Sequence, residues 1–363
     1  MSTSSSIHYT THKINKIRWY SKSFHNDLSL FVTGTNHSVI SKNKISIWEL
    51  ESRSNSDEVK EISSMPVDGI VTELKMFEYN HKPMILSSTT EGKLSLFSIF
   101  NLPCKFEYVG YNKAANNNNN SDESMSNNDN NTFETCNLFK EKSWDNSNGI
   151  NCFDTTLDYH NIATVGQDGA LNILSLDSFK PIQTIKNIDG LYINTIKYTN
   201  KNELITSGEN PLIKIWDTRV DSNTPVKSIN SNLGSIHCLA VHPDQPHIIA
   251  AGGSNGQVYL FDTRNSFSID QNKIHNSNVW ELSFSKMNPN QLYSCSEDGT
   301  ISLYDYSKDN SIMSTGNTFD IYNKESSHVM IPGGIGPIDS FDINNHNRLI
   351  SSSSSQCLVV KSL

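Results

Sequence analysis

Apolar and polar residues alternate in short runs along the chain, and one run keeps returning. It reads Ile45-Ser46-Ile47-Trp48-Glu49, Leu94-Ser95-Leu96-Phe97, Leu171-Asn172-Ile173-Leu174, Ile213-Lys214-Ile215-Trp216-Asp217, Val258-Tyr259-Leu260-Phe261-Asp262 and Ile301-Ser302-Leu303-Tyr304-Asp305. A weaker copy, Cys357-Leu358-Val359-Val360, closes the sequence. Period-two alternation is what a strand half-buried between two layers requires. Two further strands precede most copies: a middle one such as Ile162–Val165, Leu204–Ser207, His247–Ala251 or Leu292–Cys295, and before it Ile193–Tyr198, Ile236–Val241, Val279–Phe284 or Ile338–Ile343. Helical periodicity is absent over any useful length.

The joints support hairpins. Glu91-Gly92, Asp168-Gly169, Asn255-Gly256 and Asp298-Gly299 each precede a copy, and such a pair between two β-rich runs predicts a two-residue turn with φ > 0 at both positions. The copies start 49, 77, 42, 45 and 43 residues apart. Each unit is therefore a three- or four-stranded antiparallel meander of ~40–45 residues, the period of a WD-type propeller blade.

The 77-residue interval contains Asn116–Asn120 and Asn127–Asn131. Residues 112–136 offer almost nothing to bury and cannot offset their own ordering entropy, so they are expected to be a disordered loop insertion. It falls between an outer strand Lys105–Tyr111 and an inner strand Ile150–Thr155. Residues 1–363 then form one domain, an all-β, seven-bladed WD40-type propeller. Its first inner strand is Ile14–Trp19, and its last blade lacks an outer strand. A ring has no exposed seam only if both termini build one blade. Ile7–Thr10 is the natural closing strand, with Asp320–Tyr322 a competitor.

Composition narrows the function. The chain carries 29 Lys and Arg against 38 Asp and Glu, a net charge of −9. It lacks the basic field that phosphate backbones require, so no direct nucleic-acid contact is expected. No run approaches the ~18 apolar residues of a membrane span, and Met1–Thr11 has neither a basic start nor an apolar core. An intracellular chain without membrane insertion is expected. The six cysteines are scattered without a Cys-x-x-Cys pair, which predicts reduced structural thiols and no metal or other cofactor.

Catalytic signals are weak. Gly252-Gly253-Ser254-Asn255-Gly256 fits the nucleophile elbow G-x-S-x-G, but that motif needs a following helix, and Val258–Asp262 alternates like a strand. His242, His247 and His275 occupy turn positions of different repeats, where local hydrogen bonding is the expectation. His275, Ser294, Asp298 and Tyr304 share one repeat at the spacing of a buried network that fixes a WD blade. Trp216 and Asp217 are expected to serve the same structural purpose in their own repeat. The chain is not expected to be an enzyme.

At these residues the sequence resembles the WD-repeat propellers. Ala163–Gly169, the stretch His275 to Asp305 with Val279-Trp280-Glu281-Leu282, Lys13–Trp19 and Ile338-Asp339-Ser340 resemble the WD-repeat nucleoporins of the Y-shaped outer-ring complex. The departures are the asparagine insertion and the polar run Ser351–Ser355. The resemblance implies a scaffold subunit of the nuclear pore, at the nuclear envelope and monomeric when isolated. Its implied partners are other nucleoporins, chiefly an α-solenoid subunit of the short arm, with Trp280 and Glu281 as candidate contacts. An alternative comes from Trp216-Asp217-Thr218-Arg219 and Phe261-Asp262-Thr263-Arg264, which resemble the W-D-x-R element of substrate receptors of cullin-type ubiquitin ligases. Arg219 and Arg264 are then the candidate partner contacts, unless they merely pair with neighbouring carboxylates.

Overall fold

The computed structural model describes residues 5–20, 28–53, 56–100, 105–108, 149–220, 223–231, 234–265, 267–306 and 327–363. They form seven four-stranded antiparallel sheets. The expected insertion at 112–136, Cys104, Cys136 and the competing strand Asp320–Tyr322 lie outside the described residues. The inner strands are Ile14–Trp19, Val71–Tyr79, Ile150–Thr155, Ile193–Tyr198, Ile236–Val241, Val279–Phe284 and Ile338–Ile343, here numbered blades 1 to 7. Each lies beside the next, and the seventh returns to the first.

The termini close the ring as the unpaired last blade required. Ser5–Tyr9 is the outermost strand of blade 7 and pairs antiparallel with Cys357–Ser362, Ile7 opposite Val359. The Thr10 amide donates to the Gln356 carbonyl (2.8 Å), extending the ladder by one residue. The closing strand thus begins two residues earlier than the sequence suggested.

Sequence alternation becomes packing in a repeated way. The first residue of every inner strand (Ile14, Val71, Ile150, Ile193, Ile236, Val279 and Ile338) is β-branched and at most 3% exposed. The fourth residue (Ile17, Leu74, Phe153, Ile196, Leu239, Leu282 and Phe341) is equally apolar and at most 5% exposed. These side chains wedge between blades, so the core is a set of seven clusters, one at each blade-to-blade contact. Sheets meeting face to face bury both faces, which is why the middle strands read as nearly continuous apolar or small-residue runs. Gly34 shows how tight the wedge is, because a Cβ there would sit 2.4 Å from a methyl of Val71 in blade 2.

The hairpin turns differ from expectation in three of four cases. Only Asn255-Gly256 has both residues at positive φ (70° and 75°). At Glu91-Gly92, Asp168-Gly169 and Asp298-Gly299 the glycine alone is left-handed. At two of these turns the reason is in the aspartates. The Asp168 and Asp298 carboxylates accept the amide two residues on, from Ala170 (3.0 Å) and Thr300 (2.9 Å), which stabilises an ordinary negative-φ turn. The G-x-S-x-G run is a strand-turn-strand joint, with strands Ile248–Gly253 and Gln257–Asp262 on either side. A Cβ on Gly256 would lie 1.9 Å from the His275 carbonyl oxygen, so that turn position is closed to other residues. Cys152, Cys238, Cys295 and Cys357 are buried free thiols, and burial pushes the Cys238 and Cys295 thiols up.

Candidate functional site: the blade network, the rim and the central channel

In blade 6 the sequence-predicted network forms around His275. Its Nε2 lies 2.6 Å from the Ser294 hydroxyl, and its Nδ1 lies 2.9 Å from Thr300 Oγ1 and 3.3 Å from Asp298 Oδ2. A carboxylate can only accept, and the Thr300 hydroxyl already donates to Asp298 (2.6 Å), so Nδ1 carries the proton and Nε2 accepts from Ser294. This is the connectivity of a nucleophile–base–acid triad. Accessibility decides against catalysis: Ser294 is 0% and His275 1% exposed, leaving no path for a substrate carbonyl to the hydroxyl. Burial lowers the His275 pKa against the pull of Asp298, which keeps the ring neutral.

Tyr304 enters this region as packing. It lies in the apolar cluster between blades 5 and 6 and stacks on Tyr306 with centroids 6.2 Å apart. Thr300, which sequence reasoning passed over, joins the polar set instead. Blades 1 and 4 solve the same problem with an indole: Trp48 Nε1 donates to Thr33 Oγ1 (2.8 Å) and Trp216 Nε1 to Thr206 Oγ1 (2.9 Å). Replacement of Asp298 by Ala strands the Asn276 and Thr300 amides that it accepts. The expected loss is about 1–3 kcal/mol, measurable by chemical denaturation, and an unchanged midpoint would remove the structural assignment.

Asp217 belongs to another feature. Arg219 folds back over it, Nε to Oδ1 at 2.9 Å and Nη2 to Oδ2 at 2.6 Å, and this pairing holds the Asp217 carboxyl down to about 2. Arg264 does the same to Asp262, at 2.9 and 2.7 Å. Both guanidinium groups are exposed, yet each fork is engaged within its own strand end.

Trp280 and Glu281 were expected to face a partner. The structure places both at the inner strand of blade 6, facing the central channel. Glu281 is half-buried there, its side chain 13% exposed. Its carboxylate accepts from Arg18 of blade 1 (2.5 Å), from the Ser340 hydroxyl (2.7 Å) and from the Phe341 amide (3.1 Å). A carboxylate with that many internal donors is a ring-closing group. Trp280 tilts against His237 with centroids 5.0 Å apart.

The channel itself is the polar feature that the sequence did not announce. Every inner strand bulges between its first and third residues. In blades 1 to 4 the bulged second residue reaches the first carbonyl of the next blade: Asn15 to Val71 (2.6 Å), Thr72 to Ile150 (2.6 Å), Asn151 to Ile193 (2.9 Å) and Asn194 to Ile236 (3.0 Å). Below this layer, third and fifth residues bring Lys16, Glu73 and Glu281, then Arg18, Lys75, Asp154, Lys197 and Asp342. Arg18 is the hub. Its Nη2 donates to Glu73 (2.6 Å) and Glu281 (2.5 Å), its Nη1 to Ser340 (3.1 Å) and its Nε to the Leu74 carbonyl (3.1 Å). Three blades are thereby pinned by one side chain. Burial pushes the Glu73 carboxyl up, but Lys16 and Arg18 outweigh it and hold it well below the usual range.

Seven four-stranded blades closed by an N-terminal strand, with their polar chemistry turned inward to hold the ring, define a WD-repeat β-propeller without an accessible catalytic centre among the described residues. The WD domain, G-beta repeat family matches residues 223–262 and 269–305. The "Nuclear pore complex protein nup43" of Dictyostelium discoideum is 53% identical across 99% of this chain and 100% of that protein. "Nucleoporin Nup43" of Mus musculus is 32% identical over 44% of this chain and 42% of its own length. The Homo sapiens protein of the same name is 33% identical over 41% and 40%. The chain belongs to the Nup43 family of nuclear pore proteins.

Proposed function

We propose that this chain is a non-catalytic scaffold subunit of the nuclear pore complex, at the nuclear envelope, that acts by docking on other nucleoporins. Its main partner in this reading is an α-solenoid subunit in the short arm of the Y-shaped complex. The observation that carries it is that likeness to a nuclear pore protein runs from end to end, both termini included. The physics agrees. A closed ring with seven interlocked cores presents its surface with little internal freedom left to lose, so binding costs little ordering entropy.

The ubiquitin-ligase reading rests on Arg219 and Arg264, and both forks are spent on Asp217 and Asp262. The discriminating experiment is a tagged copy with Arg219→Ala and Arg264→Ala together. It is expected to label the nuclear rim and to co-purify with solenoid nucleoporins in the same ratio as the parent. Diffuse signal, with a ligase adaptor lost on the double substitution, would transfer the assignment to the receptor class.

A further inference from the structure

At the end of the channel where the inner strands begin lies a cavity of about 50 Å³, lined among others by Lys16, Glu73, Lys197, His237, Trp280 and Glu281. Its charged groups are unequally satisfied. Glu73 accepts from Arg18 and from the Leu74 amide (3.0 Å), and Glu281 from Arg18, Ser340 and Phe341. The two ammonium groups are different. Lys16 has one loose contact, 3.8 Å to Glu73. Among the described residues, Lys197 has neither a hydrogen-bond acceptor nor a carboxylate within ion-pair distance. The nearby carboxylate on its own level, Asp154, is taken by Lys75 (2.7 Å) and by the Tyr198 amide (2.9 Å).

We propose that this end of the channel is a binding site for one small anionic group, a phosphate or a carboxylate, held by the ammonium groups of Lys197 and Lys16. Both lysines are only partly exposed, and an ammonium drawn away from bulk water gains from any acceptor placed against its three donors. The cavity beside it is where such acceptors fit. Each water centre needs ~10–15 Å³, so the space takes about three to five oxygen-sized atoms, the size of a single oxyanion. A cationic guest is disfavoured because the carboxylates that would receive it are already occupied. Burial works against the charge on Lys197, but the field of Asp154 above all outweighs it and keeps the group protonated. The inference is independent of the scaffold role.

The test uses the full-length protein and inorganic phosphate as probe, titrated calorimetrically at ionic strength held constant with chloride. Saturable one-to-one binding is expected, weakened at least about tenfold in Lys197→Met, as loss of a charge-assisted hydrogen bond implies. Lys16→Met is expected to weaken it too, which keeps the question open to measurement if the first variant folds poorly. Lys201→Met, an exposed lysine near Asp158, is expected to bind like the parent. Competition with a short acetylated peptide rich in Glu, against its Gln counterpart, separates the sources. Displacement by the Glu peptide alone identifies a protein carboxylate as the guest, and phosphate that neither peptide displaces identifies a free oxyanion. Absence of saturable phosphate binding, or binding retained in both lysine variants, overturns the site.

Discussion

A chain lacking residues 1–11 is expected to melt well below the full-length protein and to aggregate on standing. Ser5–Tyr9 contributes little burial itself: Ile7 is 47% and Tyr9 84% exposed. Its contribution is the ladder to Cys357–Ser362. Each intramolecular hydrogen bond is worth about 0.5–1.5 kcal/mol net, so five paired residues together carry several kcal/mol. Removal bares Cys357-Leu358-Val359-Val360, an apolar, β-prone edge of the kind that recruits other chains. The same strand packs Leu358 and Val360 against Ile14, Ile17 and Trp19 of blade 1. Loosening it therefore weakens the contact where the ring shuts. Calorimetry and light scattering of the truncated protein check this, and an unchanged melting temperature with unchanged solubility would reduce Ser5–Tyr9 to a tail.

That closure could be read from the sequence because it is a matter of counting. Seven copies with one outer strand missing leave a strand to find, and the inner strands of blades 3 to 7 were placed residue for residue. Local chemistry was less visible. As turn residues Asp168 and Asp298 are read from the sequence through their glycines, with Asp298 also assigned to the His275 network, whereas both side chains set their turns by accepting the amide two residues on. Asp217 was assigned to a core network, but Arg219 stands two residues away and the nearer partner won. Glu281 reads as a candidate partner contact because a charged residue on an alternating strand looks the same whether it faces solvent or a central channel. The signal was present in register: charges fall at the third or fifth place of inner strands in separate repeats, and only closure of the ring brings Arg18, Glu73 and Glu281 together.

Arg18→Met is expected to be the most damaging single substitution in the channel. Methionine keeps much of the side-chain volume and removes the charge that serves both Glu73 and Glu281. Breaking a buried pair by deleting one partner costs about 3–5 kcal/mol, since the remaining charge stays desolvated. For a chain of this length that corresponds to a fall of about 4–7 °C in melting temperature. The pH dependence gives a second, independent readout. In the parent, both carboxyls are held below their ordinary values, burial being outweighed by Arg18 and Lys16. They therefore contribute stability that is present above about pH 4.5 and lost as the pH falls through their lowered folded values. Without Arg18, Lys16 still holds Glu73 down, but Glu281 loses its largest opposing charge, so burial and the like charge of Glu73 push its folded-state value up. Lowering the pH from 7 towards 5 is then expected to stabilise the variant relative to the parent. A variant that melts like the parent at pH 7, with a parallel pH profile, would show that the blades are held by their apolar wedges alone and that the Arg18 hub is incidental to the ring.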